Sequence, residues 1–137
     1  MNSFIIIMFV VIIIIGVGLM IIITLTRKSP PGLNQEEFRS KWLSIESSFS
    51  QGAGSQKLAI LNADTLLDKA LKARGYKGET MGDRLKNARN AFKNNNAVWA
   101  AHKLRNKVAH EDIDVKSQTA SHALKAFKNA LKDLGAL

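Results

Sequence analysis

The sequence contains no cysteine among its 137 residues. This absence excludes disulfide bonds and any metal site built on thiolates. Charged side chains are missing from residues 1–26, so all 20 Lys and Arg and all 11 Asp and Glu lie in residues 27–137. The chain therefore divides into an uncharged N-terminal segment and a basic remainder that carries the whole formal charge of +9.

A charge of this size on a small domain attracts polyanions, either nucleic acid or an anionic lipid surface. An excess of Lys also keeps a small domain soluble. The charge alone does not choose between these interpretations.

The uncharged segment from Phe4 to Leu25 is rich in Ile and Val. As a helix it would span about 33 Å, close to the ~30 Å thickness of the hydrocarbon core of a bilayer. A cleaved signal peptide is the alternative, but no Lys or Arg precedes the run, the run is too long, and no small-x-small cleavage site follows. We therefore predict an N-terminal transmembrane anchor at residues 1–26.

Positive charges follow this segment directly. Arg27 and Lys28 come first, with Arg39 and Lys41 close behind, and the N-terminal side offers only the α-amino group. The positive-inside rule then predicts a single-pass membrane protein whose C-terminal domain is cytoplasmic.

Residues 27–33 predict a short, stiff linker, because Pro30 and Pro31 cannot continue a helix. Residues 34–137 predict helices whose ends are marked by capping residues and turns. The predicted N-terminal caps are Asn34, Ser55, Thr80 with Asp83, and the Asn94–Asn96 turn, and the last helix starts at about Ser117. The predicted breaks are Gln51–Gly54 and Gly75.

Apolar residues recur at helical intervals in each of these segments. The predicted inward positions are Phe38, Trp42, Ile45 and Phe49; Leu58, Leu61, Leu66 and Leu67; Met81, Leu85, Ala88 and Phe92; Val98, Ala101, Leu104 and Val108; and Ala120, Leu124, Phe127, Leu131 and Leu134. No segment alternates with period two, so a sheet is not expected. The sequence predicts an all-α fold, an up-and-down bundle of four to five helices preceded by one transmembrane helix.

The fourth predicted helix, from about Ala97 to about Ala109, carries a second polar face. At about 100° per residue, Trp99, Asn106 and His110 fall in one narrow wedge, with His102 beside it and Arg105 at its border. This wedge lies off the core stripe, so it is available to a partner or substrate. We expect Trp99 to pack within the bundle or, with His102, at a dimer interface.

An imidazole and a guanidinium near one phosphodiester suffice for metal-free RNA cleavage, because the imidazole moves protons and the guanidinium stabilises charge on the phosphate. Arg105 and His110 are five residues apart, however, and on one helix they point about 140° from each other. Either the helix ends before His110 or the site requires a second copy of the chain.

The segment from Arg105 to His110 resembles the Arg–polar–x3–His motif of the HEPN family (higher eukaryotes and prokaryotes nucleotide-binding), and the helical frame of residues 34–137 suits that family. The resemblance implies a metal-independent endoribonuclease that forms a composite site in a homodimer. It implies that His110 is the catalytic acid/base, that Arg105 binds the phosphate, and that Asn106 orients one or the other. The membrane anchor departs from most members of the family.

Basic side chains outside the motif are candidate RNA contacts. They are Lys103, Lys107, Arg89 and Lys86, together with Lys69, Lys72, Arg74 and Lys77. Lys-rich faces are also commonly just solvated surface. We expect no metal and no cofactor, because the sequence has no Gly-rich phosphate loop, no His-based metal motif and no nucleophile elbow.

Structural roles compete with the catalytic one. His110 can cap helix carbonyls, and Arg105 can pair with Glu111, Asp112 or Asp114. The alternative function is then a non-catalytic, membrane-tethered helical module that recruits a protein partner. A basic face that binds anionic lipid is a third possibility.

Overall fold

The computed structural model describes residues 2–26 and 32–137. The chain divides into two compact units, 1–31 and 32–137. The greater part of the predicted linker, residues 27–31, lies outside the described residues. Arg27 and Lys28, on which the predicted orientation depends, lie outside them as well.

Helix α1 comprises Ser3–Thr26, a helix of 24 residues. Its segment Ser3–Ile23 is long and apolar enough to cross a membrane, and none of its most apolar window is buried. Apolar side chains exposed along a whole helix are costly in water and favourable in hydrocarbon, at about 25 cal/mol per Å². The predicted N-terminal helix that could span a membrane is therefore confirmed in length and apolarity.

The second unit contains five α-helices and one short 3₁₀ turn. They are α2 (Gln35–Phe49), α3 (Ala53–Ala73), α4 (Met81–Asn87), the 3₁₀ turn Arg89–Ala91, α5 (Asn95–His110) and α6 (Ser117–Asp133). No strand occurs in residues 2–26 or 32–137, so the predicted all-α bundle is confirmed. Helix α3 is central, because it packs against α2, α4, α5 and α6, and α6 also packs against α5.

The core forms where the apolar stripes of these helices meet. All five inward positions predicted for α6 are buried, as are Phe38, Trp42 and Ile45 of α2. Leu58 was predicted to face inward and is 52% exposed, so that prediction is wrong. The buried stripe of α3 instead includes Ala59, Ala63 and Ala70, whose small side chains let neighbouring helices approach closely.

Capping side chains begin three of the helices as predicted. The Asn34 side chain accepts hydrogen bonds from the N–H groups of Glu36 and Glu37, and the Asn94 side chain accepts one from Ala97. Thr80 and Asp83 form a reciprocal capping box at the start of α4. Each cap satisfies backbone donors that the first turn leaves without a helical partner.

Two predicted helix boundaries differ from the structure. The predicted cap at Ser55 is wrong, because α3 begins at Ala53 with Gly52 as its N-cap. The third predicted helix is short, since α4 ends at Asn87 and Ala88 leads into the 3₁₀ turn. The chain therefore bends between Leu85 and Phe92 and still buries both side chains.

Gly75 ends α3 as predicted. Its φ of 82° lies in the left-handed region, where a residue without a Cβ is favoured. The N–H groups of Gly75 and Tyr76 donate to the carbonyls of Lys72 and Leu71, which is the pattern of a Schellman motif. This turn directs the chain toward α4.

Candidate functional site

Helix α5 carries the residues that the sequence singled out, and it runs without interruption from Asn95 to His110. The possibility that the helix ends before His110 is therefore wrong. Arg105 and His110 point about 140° apart on this helix. His110 is its last residue and is exposed.

An aspartate on α3 organises the polar face of α5. The carboxylate of Asp64 has one oxygen, Oδ1, 2.8 Å from His102 Nδ1 and the other, Oδ2, 3.3 Å from Arg105 Nε. The Asp64 side chain is only 4% exposed. A carboxylate this buried requires hydrogen bonds and a compensating charge, and α5 supplies both.

Asn106 closes these contacts into a ring of four side chains, here called the polar ring: Asp64, His102, Arg105 and Asn106. Arg105 Nη1 donates to Asn106 Oδ1 at 3.0 Å, and Asn106 Nδ2 lies 3.4 Å from His102 Nε2. Three members lie on one side of α5 because their spacing of three and four residues brings successive turns together. The fourth comes from α3, so the polar ring joins two helices.

The guanidinium of Arg105 is held in the polar ring but not enclosed by it. The Arg105 side chain is 31% exposed. Its Nε is close to Asp64 Oδ2 without the alignment of a hydrogen bond, and is a buried donor with no hydrogen-bond partner. The alternative pairing of Arg105 with Glu111, Asp112 or Asp114 is wrong, because the side chain lies against α3 and pairs with Asp64 instead.

His102 departs from its predicted place outside the core. It is buried, with 8% of its surface exposed, because α3 presents Asp64 to its ring. Trp99 packs edge-on against it, with ring centroids 6.0 Å apart and planes at 79°. Trp99 thus packs within its own bundle, while a dimer interface through Trp99 and His102 stays a prediction.

Asp64 is the residue of this site that sequence reasoning missed. The buried positions Ile60, Ala63, Leu67 and Leu71 recur along α3 at helical spacing, and Asp64 falls within that stripe. A carboxylate at a core position of an amphipathic helix is the signal that could have identified it. Its partners could not have been named, because His102 lies 38 residues further along the chain.

The polar ring forms one wall of a cleft between α3, α4 and α5, with a volume of about 470 Å³. On another wall Arg84 Nε donates to Asp68 Oδ1 at 2.6 Å. Burial raises the pKa of Asp68, but hydrogen bonds from Arg84 and Lys72 outweigh burial and lower it overall. The remaining lining residues are Thr65, Glu79, Thr80, Met81 and Gly82.

The basic residues proposed as RNA contacts fall into two groups. Lys86, Arg89, Lys103 and Lys107 are exposed, and so is Lys77. The others are engaged within the bundle: Lys69 pairs with Glu37 at 2.6 Å, Lys72 pairs with Asp68 at 2.9 Å, and Arg74 donates to the Leu134 carbonyl.

No group of three His, Asp or Glu side chains able to hold a metal ion is found in residues 2–26 and 32–137. The polar ring offers the chemistry of a guanidinium, an amide, a carboxylate and one imidazole. No family model, curated protein or solved structure matches the chain.

Proposed function

We propose that the chain is a membrane-anchored, HEPN-like domain that binds and cleaves RNA without a metal ion, at the cytoplasmic face of a membrane. The observation that carries the proposal is the partly exposed guanidinium of Arg105, held on a cleft wall beside the Asn106 amide. A guanidinium that is oriented and still accessible suits the binding of a phosphate.

The reaction follows from this chemistry. An imidazole takes the proton of the ribose 2′-hydroxyl, and the 2′-oxygen attacks the adjacent phosphorus. The bond from phosphorus to the 5′-oxygen breaks, and that oxygen receives a proton from an imidazole, which leaves a 2′,3′-cyclic phosphate. Arg105 stabilises the negative charge that grows on the phosphate oxygens during the attack, and His110 supplies the imidazole.

A second copy of the chain completes the proposed site. Arg105 and His110 diverge by about 140° on one uninterrupted helix, so one α5 cannot present both to the same phosphate. A twofold arrangement would bring His110 of one copy to Arg105 of the other. The exposure of His110 supports this arrangement, because its imidazole is accessible to another chain.

Exposed basic side chains would add contacts to neighbouring phosphates. Lys103 and Lys107 lie on α5, and Lys86 and Arg89 lie on or just after α4. Contacts of this kind depend on counterion release, so affinity for RNA should fall steeply as salt is raised.

The test uses the full chain in detergent micelles, incubated with mixed RNA and EDTA. We expect cleavage that survives chelation and falls by at least ~100-fold in His110→Ala, which is the usual contribution of an acid/base group. His122→Ala is the matched control, because His122 is also exposed and lies on α6. Equal cleavage by the wild type and His110→Ala would overturn the assignment of His110.

The same preparation distinguishes the proposed ribonuclease from the alternative functions. A dimer that cleaves none of several RNAs would favour the non-catalytic adaptor. Binding to anionic vesicles that exceeds binding to neutral vesicles and fades as salt is added would favour a lipid-binding face.

A further inference from the structure

We infer that His102 is a positioning residue of this same site, which holds the Asn106 amide and, through it, the Arg105 guanidinium. The inference rests on the proposed function. It differs from that function in assigning a role to a histidine outside the motif that runs from Arg105 to His110.

The guanidinium of Arg105 is the one group in the polar ring that can only donate, and it fixes the direction of the other hydrogen bonds. Arg105 Nη1 can only donate, so the atom of Asn106 that it meets at 3.0 Å is the carbonyl oxygen. The amide nitrogen of Asn106 then faces His102 Nε2 at 3.4 Å. Because that nitrogen is a donor, Nε2 must carry its lone pair and the ring proton must lie on Nδ1.

Asp64 selects the same tautomer from the other side of the imidazole. Its Oδ1 lies 2.8 Å from Nδ1 and, as a carboxylate oxygen, accepts the Nδ1 proton. His102 therefore donates a hydrogen bond to Asp64 and accepts one from Asn106. Both hydrogen bonds require the same tautomer of the imidazole, so each favours the other. A carboxylate that sets the tautomer of an imidazole is a recognised means of orienting active-site groups.

Burial makes this arrangement rigid. The side chains of His102 and Asp64 are 10% and 4% exposed, and Trp99 packs edge-on against the imidazole. Arg105 is the more exposed partner, at 31%. The buried side chains of His102 and Asp64 thus orient Arg105, the member of the polar ring that can reach a phosphate.

Substitutions at His102 distinguish positioning from proton transfer. His102→Gln keeps a donor and an acceptor on one planar group but cannot transfer protons, whereas His102→Leu removes both hydrogen bonds. If His102 positions Asn106, the Gln variant should keep RNA cleavage within ~10-fold and the Leu variant should lose about 100-fold in kcat, the usual effect of a displaced catalytic group.

The measurement is kcat and KM for RNA cleavage with EDTA, using the full chain in micelles, with thermal unfolding recorded for each variant. The control is Glu46→Gln, which removes the 2.6 Å pair with Lys128 between α2 and α6 and should leave kcat unchanged. A folded Leu variant with full kcat, or a folded Gln variant as inactive as the Leu variant, would overturn the inference.

A second measurement does not depend on activity or on the folding of a variant. Long-range ¹H–¹⁵N NMR of the full chain at neutral pH should show His102 protonated on Nδ1 only. The opposite tautomer, or a rapid exchange of both, would overturn the inference. If the wild type shows the Nδ1–H tautomer of His102 but cleaves no RNA, the ribonuclease function is refuted and the arrangement of the polar ring is upheld.

Discussion

His102 Nδ1 lies 2.8 Å from Asp64 Oδ1, and this contact joins α5 to α3 inside the bundle. The same carboxylate faces Arg105 through its other oxygen. One buried side chain of α3 thus supports two residues of the α5 polar face, and the stability of the bundle and the geometry of the site depend on the same contact.

The first prediction concerns the stability that Asp64 contributes. Asp64→Ala leaves the His102 N–H and the Arg105 guanidinium without their partner, which should lower the free energy of unfolding by about 2 kcal/mol. Denaturant unfolding of the full chain in micelles, followed by Trp fluorescence, measures the change. Asp112→Ala is the control, because Asp112 is exposed, and it should change the stability by less than ~0.5 kcal/mol. Equal stability of the two variants would contradict the role of Asp64.

The second prediction concerns the composite site. Arg105→Ala and His110→Ala should each abolish RNA cleavage when expressed alone. Co-expressed in equal amounts, they should recover about a quarter of the wild-type activity, because half of the dimers are mixed and each mixed dimer holds one intact site. Cleavage assays on the copurified complexes test this expectation. No recovery in verified mixed dimers would exclude a site shared between copies.

The third prediction compares two glycines. A Cβ added at Gly54 or at Gly75 would meet open space. Neither substitution causes a steric clash, so the difference between the two sites is their backbone conformation. Gly54→Ala, inside α3, should raise the free energy of unfolding by about 0.5 kcal/mol. Gly75→Ala, at a φ of 82°, should lower it by about 1 kcal/mol. Thermal unfolding should shift in opposite directions, and a shift in the same direction would show that φ does not decide the effect.

The fourth prediction concerns pH. Hydrogen bonds from Lys41 and Lys69 lower the pKa of Glu37 from its ordinary 4.5 to about 2. A carboxyl group whose pKa is lowered on folding stabilises the folded chain at pH values above its ordinary pKa. This contribution is lost as the pH falls toward 2. Glu37→Gln should therefore lower the Tm at pH 6, and its difference from the wild type should disappear near pH 2.

The control for this pH dependence is Glu36→Gln in the same helical turn. Within residues 2–26 and 32–137 no ion pair involves Glu36, so its difference from the wild type should vary less between pH 6 and pH 2. Added salt should also reduce the effect of Glu37→Gln at pH 6, because the pair is exposed and is screened. A difference that persists unchanged at pH 2 would contradict the ion pair.

Local patterns in the sequence were sufficient to predict much of the fold. The stripe of α6 from Ala120 to Leu134, the caps at Asn34 and Asn94, and the helix end at Gly75 are as predicted, because helical periodicity and capping depend on residues only a few positions apart. The apolar N-terminal helix is predictable for the same reason. The start of α3 and the shortness of α4 were missed, since weak local signals compete there with packing.

The site was decided by tertiary structure. The sequence by itself placed Arg105 and Asn106 on one helix, because their spacing is local, and left open whether that helix reaches His110. Only the packing of α5 against α3 brought Asp64 to His102 and Arg105. The same packing buried His102, which was expected outside the core. The physical reason is that a pair 38 residues apart is joined by helix packing, which no local periodicity encodes.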